Sequence, residues 1–490
     1  MASIFSLSTE LIDSIAIYLA TSDIEKLTRT CRSLHKSARP ALYRTVTLDP
    51  MALTVNKRPR IICLLRSFMG RPELSSSTRN MVICGDLYGW TDPNDSWSSE
   101  ATHLEGCGFT TADKVVLVMA MVSTQLGALQ TAMIRPVCEV ITMVMLAHCT
   151  RVRTLSIPVM FLLEGPAFQN LTQGRVNTNS AKRRRPFNRL DTLTLTTDDN
   201  MIIKTSNVVG IFSSCFALPK LSALYLSSIS MLAPSSNHSV SGYATLHIAE
   251  KLTTLHLHRS QIPASAVEQI LQRTPRLTSF VFDYLCSSIA LDLDRLHRAL
   301  GYVQSTLEDL TVRITISDNI TVENLVSVKE ACEGKLGSFK SFTALKKLSA
   351  SFPVFFGKHM VSLDVINHLP ALLPPHLEHL LFADDLWDLC GNREAYSAFC
   401  TMVSHEILRE KIYDRSSPLQ KLSVDFRRSS SPLSMFAMTA RSHFPTAWSY
   451  SCSEGENGYV DVDVAMLRSS YGDNLWFDYD VEEVMRYCPH

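Results

Sequence analysis

Apolar residues recur along this chain in one short phrase, apolar-x-x-apolar-x-apolar, and between its copies they shift to helical spacing. The clearest copy runs Leu252-x-x-Leu255-x-Leu257-x-x-Ser260-x-Ile262. Its period-two part, Leu255 and Leu257, predicts a strand with one buried face. After Pro263 the period lengthens. Val267, Ile270 and Leu271 share one helical face, Ser265 and Glu268 have capping-box spacing, and Thr274-Pro275 closes the helix. At Leu277 the strand phrase begins again.

Further copies stand at Leu190-Leu193-Leu195, Leu221-Leu224-Leu226, Leu277-Phe280-Phe282, Leu307-Leu310-Val312, Leu345-Leu348-Ala350, Leu377-Leu380-Phe382 and Leu419-Leu422-Val424. Looser ones precede them at Met81-Ile83, Leu129-Ala132-Ile134 and Val152-Leu155-Ile157. From Leu190 to Leu307 the steps are 31, 31, 25 and 30 residues, and after that 38, 32 and 42. A strand that turns its leucines inward, with a helix lying behind it, is a leucine-rich repeat; it cannot bury its apolar edge alone and needs stacked neighbours. The expected fold is therefore α/β, an irregular leucine-rich-repeat solenoid with parallel strands on the concave side and helices outside. An ordinary α/β domain is the competitor. It would want glycine-rich turns at its strand ends, and the chain has only 18 glycines.

Residues 7 to 48 read differently. Leu7, Leu11, Ile15 and Leu19 step at helical spacing, Ser22-x-x-Glu25 marks a second helix start carrying Ile24 and Leu27, and a third short helix runs through Cys31-Arg32-x-Leu34 until Pro40 ends it. Three such helices are too small for a stable core of their own, so a partner or the adjoining repeats must cover them. The run Leu7-Ser8-x-Glu10-Leu11-x-x-x-Ile15-x-x-x-Leu19-x-x-x-Asp23-Ile24-x-x-Leu27-x-x-x-Cys31-Arg32 resembles an F-box. Ala38-Arg39-Pro40-Ala41-Leu42-Tyr43-Arg44 and Val46-x-Leu48 resemble the tail of many fungal F-box proteins. Ser8, Thr30 and Leu34 stand where that family usually has proline, valine and tryptophan. The resemblance implies a small all-α F-box ahead of the solenoid. Leu7, Leu11, Ile15, Leu19, Ile24, Leu27, Cys31 and Arg32 would then meet the SKP-type adaptor of a cullin–RING ubiquitin ligase, and the chain would be its substrate-recognition subunit. A non-ligase scaffold, whose N-terminal helices only cap the solenoid, is the alternative.

The expected organisation is an F-box-like domain over 1–48, a connecting helix and first strand over 49–80, the solenoid over 81–426 and a C-terminal cap over 427–490. Polar insertions are expected near 86–111 and 169–188. The second carries Lys182-Arg183-Arg184-Arg185, read either as a solvated basic loop or as a nuclear-import signal. The alternation at Tyr459–Val464 predicts a last strand.

Composition narrows the function classes. With 47 basic and 47 acidic residues and no net charge, nothing favours nucleic acid or an anionic membrane as a bulk partner. The apolar runs Val115–Val122 and Val140–Ala147 are too short to cross a bilayer and read as hidden helices. Early Glu10 and Asp13, with no early lysine or arginine, argue against a signal peptide. Thirteen scattered cysteines without a Cys-x-x-Cys pair suit reduced thiols and a cytoplasmic or nuclear location.

No catalytic constellation stands out, and no cofactor or metal is expected. Asp384-Asp385 and Glu482-Glu483 are adjacent, so their members face opposite ways on a strand. His376-x-x-His379, with Cys390, reads as packing and surface rather than as a zinc site. The concave face is the better candidate. Positions between and just after the leucines give Tyr225, His256, His258, Asp283, Arg313, Asp384 and Asp425. Aromatic, imidazole and both charges together suit a folded protein or a degron peptide better than a uniform polyanion.

Overall fold

Among the described residues the apolar phrases fold as strands that pair side by side; Leu129-Ala132-Ile134 lies outside those residues. The computed structural model of the chain describes residues 8–16, 18–48, 60–84, 137–159, 187–197, 202–203, 205–231, 246–286, 290–316, 332–351, 354–355, 372–383, 418–426, 448–452 and 458–463, with single positions at 111, 115 and 119. The fold is mixed α/β, built on open, chiefly parallel strands and not on a closed barrel. It divides into two compact units, Met1–Asp198 with Asn207–Leu224, and Asp199–Ser206 with Tyr225–His490.

The first unit starts with helices α1 (Thr9–Ala16), α2 (Thr21–Thr30) and α3 (Arg32–Leu42) and strand β1 (Thr45–Leu48). Helices α4 (Arg60–Gly70) and α5 (Pro72–Ser77), strand β2 (Asn80–Ile83), helix α6 (Val137–His148) and strands β3 (Thr154–Pro158) and β4 (Thr192–Thr196) follow. β1 to β4 pair in chain order, all parallel. The N-terminal helices are tied to this ladder by more than the chain: the Tyr43 ring lies 6.0 Å from that of Phe68 on α4, and α3 runs almost directly into β1. Helix α7 (Thr205–Phe216) and strand β5 (Ala223–Ser227) lie across the division between the units.

In the second unit β6 (Thr254–Ser260), helix α8 (Ala264–Leu271), β7 (Ser279–Cys286), helix α9 (Leu293–Leu300), β8 (Asp309–Ile316), β9 (Lys347–Ser351), β10 (His379–Ala383) and β11 (Lys421–Phe426) follow in order. β6 to β11 form one parallel ladder. The leucine positions of the phrases align, and the register between β6 and β7 shifts only beyond Leu257, before Ser260. Leu255, Phe280, Leu310, Leu348, Leu380 and Leu422 are register partners in turn, and so are Leu257, Phe282, Val312, Ala350 and Phe382. All of these side chains are buried. A one-residue slip would turn the whole row to the other face, so the irregular steps of 25 to 42 residues are absorbed in the crossovers.

Three local expectations give way. α2 starts at Thr21, and its N-cap, Ala20, makes no side-chain bond. Glu25 pairs with Arg29 instead of closing a box with Ser22. α8 starts after Pro263, an extended N-cap (φ −67°, ψ 150°) that makes no side-chain bond; Glu268 reaches Arg295 on α9 at 2.8 Å and does not fold back toward Ser265. Pro40 does not end α3, which continues to Leu42, because a proline in the last turn forfeits a single backbone bond. Of the two long apolar runs, α6 buries Thr142 to Leu146, whereas Val115 and Met119 in the other are exposed. The last strand is present but runs the opposite way: β12 (Trp448–Cys452) and β13 (Gly458–Asp463) form a hairpin, and β13 pairs antiparallel with β11.

Candidate functional site

Two surfaces carry the residues singled out above. The first is on α1. Ser8 starts this helix; its carbonyl accepts the N–H groups of Leu11 and Ile12 at 3.1 Å, and its Oγ lies 3.4 Å from the Leu11 nitrogen. Ile12 and Ala16, four residues apart, point inward. Ala16, Ile24 and Ala38 form the small core of the three helices, with Leu19, Leu27, Ala41 and Leu42 leaning against it. Two alanines at the crossing let the helices approach closely, while the flank of α1 about 100° round from Ile12 and Ala16 stays uncovered. Leu11 is 52 % exposed, Ile15 42 % and Tyr18 89 %.

Of the eight residues expected to face an adaptor, then, Leu11 and Ile15 are open apolar surface and Arg32 is exposed. Ile24 is only 5 % exposed and belongs to the core, which corrects its assignment to the ridge. Leu19 and Leu27 are half-buried against that core. Cys31 caps α3, its Sγ accepting the Leu34 N–H at 3.5 Å. Leu7 lies outside the described residues. Tyr18 is the addition: it stands in the turn just after α1, its N–H donating to the Ile15 carbonyl at 3.0 Å.

The second surface is the polar face of the sheet in the second unit. Here Tyr225, His256, His258, Asp283 and Arg313 alternate with buried leucines and phenylalanines. Tyr225 and His256 meet edge to face, ring centres 4.7 Å apart, and His256 meets His258 the same way at 5.5 Å. Ser279 Oγ is 3.5 Å from His256 Nε2. Burial, and then the charge of His258, press the His256 pKa down to about 4. The imidazole is therefore a neutral hydrogen-bonding group near pH 7. Asp283 and Arg313 sit opposite one another across β7 and β8, and Thr315 Oγ1 donates to Asp283 Oδ1 at 2.6 Å. Asp425 keeps register with Ala383, and Asp384 lies outside the described residues.

Register adds a row that the sequence reading passed over. Asp309, Lys347, His379 and Lys421 are successive partners at the foot of β8 to β11. Each is the residue just before the second apolar position of its phrase, so the repeat itself marked them. Burial raises the Asp309 pKa, and Lys347 and His379 pull it back. The face thus presents an aromatic–imidazole corner followed by mixed charge.

Chemistry elsewhere is sparse. Among the described residues the cysteines are free thiols. Burial raises Cys149 to about 12 and Cys286 to about 11, and pushes Cys215 up as well; thiols held protonated in this way are poor nucleophiles. No cluster of three His, Cys, Asp or Glu among the described residues is arranged to hold a metal, and no helix among them is long and apolar enough to cross a membrane. Set against known proteins, the chain matches no family model and none of the curated proteins.

Proposed function

We propose that the chain is a substrate-recognition subunit of an SKP–cullin–F-box ubiquitin ligase, with an F-box-like module at its front and leucine-rich repeats behind. The observation that carries this reading is the uncovered pair Leu11 and Ile15 on α1, with exposed Tyr18 in the turn that follows. A helix that buries Ile12 and Ala16 yet leaves Leu11 and Ile15 in water, with Tyr18 exposed just beyond its end, has surface to give a partner. Covering a leucine or isoleucine is worth about 1.5–3 kcal/mol each. On this reading the adaptor lies along that surface. A target protein is held on the polar sheet face of Tyr225, His256, His258, Asp283 and Arg313, and the row from Asp309 to Lys421 extends that face. The protein performs no bond chemistry; it raises the effective concentration of target lysines near the loaded conjugating enzyme.

Leu11→Arg places a charge on that surface without touching the buried side of α1. The variant is expected to lose copurification with the SKP-type adaptor while its circular dichroism and melting temperature stay those of the parent. Undiminished copurification overturns the reading.

The Tyr43–Phe68 contact and the direct passage from α3 into β1 favour a second reading, in which the helices only cap the first strands of a scaffold. Deleting residues 1–44 separates the two. Insolubility of the truncated chain, together with no adaptor bound to the intact one, selects the cap.

A further inference from the structure

The residues that lead into the strands form rows of their own, because each donates its N–H to the carbonyl of its counterpart before the previous strand. In the first unit Arg79 donates to Arg44 at 2.8 Å, Arg153 to Arg79 at 2.7 Å and Asp191 to Arg153 at 2.8 Å. In the second unit the equivalent row runs Thr278, Glu308, Lys346, Glu378 and Gln420. The two rows differ in charge. The second is self-compensated: acid and base alternate, and Lys346 Nζ lies 2.9 Å from Glu308 Oε2. The first places three arginines side by side before the first acid, Asp191, is reached.

Neighbouring strands are ~4.8 Å apart, so these three guanidinium groups stand within about 10 Å of one another at their bases. Arg151 and Arg189, two residues ahead of Arg153 and Asp191, join them. Burial, and then the like charges of Arg151, Arg153, Arg189 and Arg44, lower the Arg79 pKa. Arg79 is partly satisfied, Nη1 donating to the carbonyls of Ser76 at 2.7 Å and Thr78 at 3.2 Å. Arg44, Arg153 and Arg189 are exposed, and no carboxylate pairs with them among the described residues. Like charges set side by side on adjacent strands destabilise a sheet, and an anionic occupant removes that cost.

We infer that this arginine row, Arg44–Arg79–Arg153 with Arg151 and Arg189, is a binding site for an acidic segment of a partner protein. Two features favour a carboxylate-bearing chain over a compact phosphate compound or nucleic acid. The arginines enter on successive strands along a backbone row, an arrangement that suits a chain of spaced charges better than a single phosphate. The row is also short: an extended peptide carries side chains of one face ~7 Å apart, so two or three glutamates or aspartates fill it, whereas a nucleic-acid duplex wants a much longer basic track. Arginine also takes carboxylates in two-pronged fashion. The inference is independent of the ligase reading, since α1 contributes nothing to the row.

The test uses the full chain and a short fluorescein-labelled peptide of alternating glutamate and glycine, followed by anisotropy at low and at near-physiological salt. Binding is expected, weakening with salt, and falling by about tenfold or more in Arg44→Glu/Arg153→Glu. Lys346→Glu, in the compensated row, should bind the peptide as the parent does. The peptide should also raise the melting temperature of the parent, and the double variant without peptide should melt no lower than the parent, which guards against loss of binding through misfolding. Absence of peptide binding, equal binding by the double variant, or binding of inorganic tripolyphosphate without binding of the peptide overturns the inference.

Discussion

His256 illustrates what a single position on a repeat can do. Its neighbours Leu255 and Leu257 are required by the core, but His256 is free to vary and so can carry chemistry. Packed against Tyr225 and His258 and facing Ser279, it has its pKa held at about 4, against 6.5 for the open side chain. As pH falls, the unfolded chain takes up this proton before the folded one does. The stability tied to a neutral His256 is therefore complete above about 6.5 and is lost progressively toward 4. Denaturant midpoints of the parent and of His256→Gln, measured across that window, should converge as the pH is lowered. Parallel profiles would mean that the imidazole is not kept neutral. The imidazole pair was legible in the spacing His256-x-His258, and Tyr225 as a residue of the same face; that its ring meets His256 depends on how two phrases stack, which no single phrase contains.

At the scale of elements, α9 shows how a crossover is fixed to the ladder. Asp292 caps it by accepting the Arg295 N–H at 2.8 Å, and the Leu291-Asp292 pair forms a short parallel bridge to Cys332-Glu333. Asp294 then accepts the Lys335 N–H at 3.2 Å. This is possible only because Gly334 takes φ +72°; a Cβ there would stand within 2.8 Å of Asp294 Oδ1 and closer still to its Cγ. Gly334→Ala is expected to cost about 2 kcal/mol, one part left-handed backbone and one part the lost bond. Combining it with Asp294→Ala should cost less than the sum of the two single changes. Full additivity would show that the clip does not hold. Nothing in the pattern of apolar positions foretold this glycine, because the contact joins segments about forty residues apart in the chain. Helix starts failed for a related reason. Glu268 satisfies its charge on Arg295, a residue of the next helix, and the capping box that its spacing advertised goes unused.

For the whole molecule, strand existence and register were legible because both depend on the same period-two leucines. The direction of the final pair was not, since an alternating segment pairs equally well either way, and the sequence marks only its faces. The pairing of this hairpin has a consequence. A ladder made by adding one parallel strand after another contains no instruction to stop, and the open side of its last member would template the first strand of another copy. The hairpin β12–β13 supplies the stop by occupation: β13 pairs antiparallel along β11 and β12 pairs with β13 in turn, so the side of β11 that would take a further parallel strand is already filled. Removing residues 448–463 should thus convert a dispersed protein into one that polymerises end to end, seen in light scattering as mass growing with concentration. A truncated chain whose mass does not rise with concentration would mean that the hairpin is not what terminates the array.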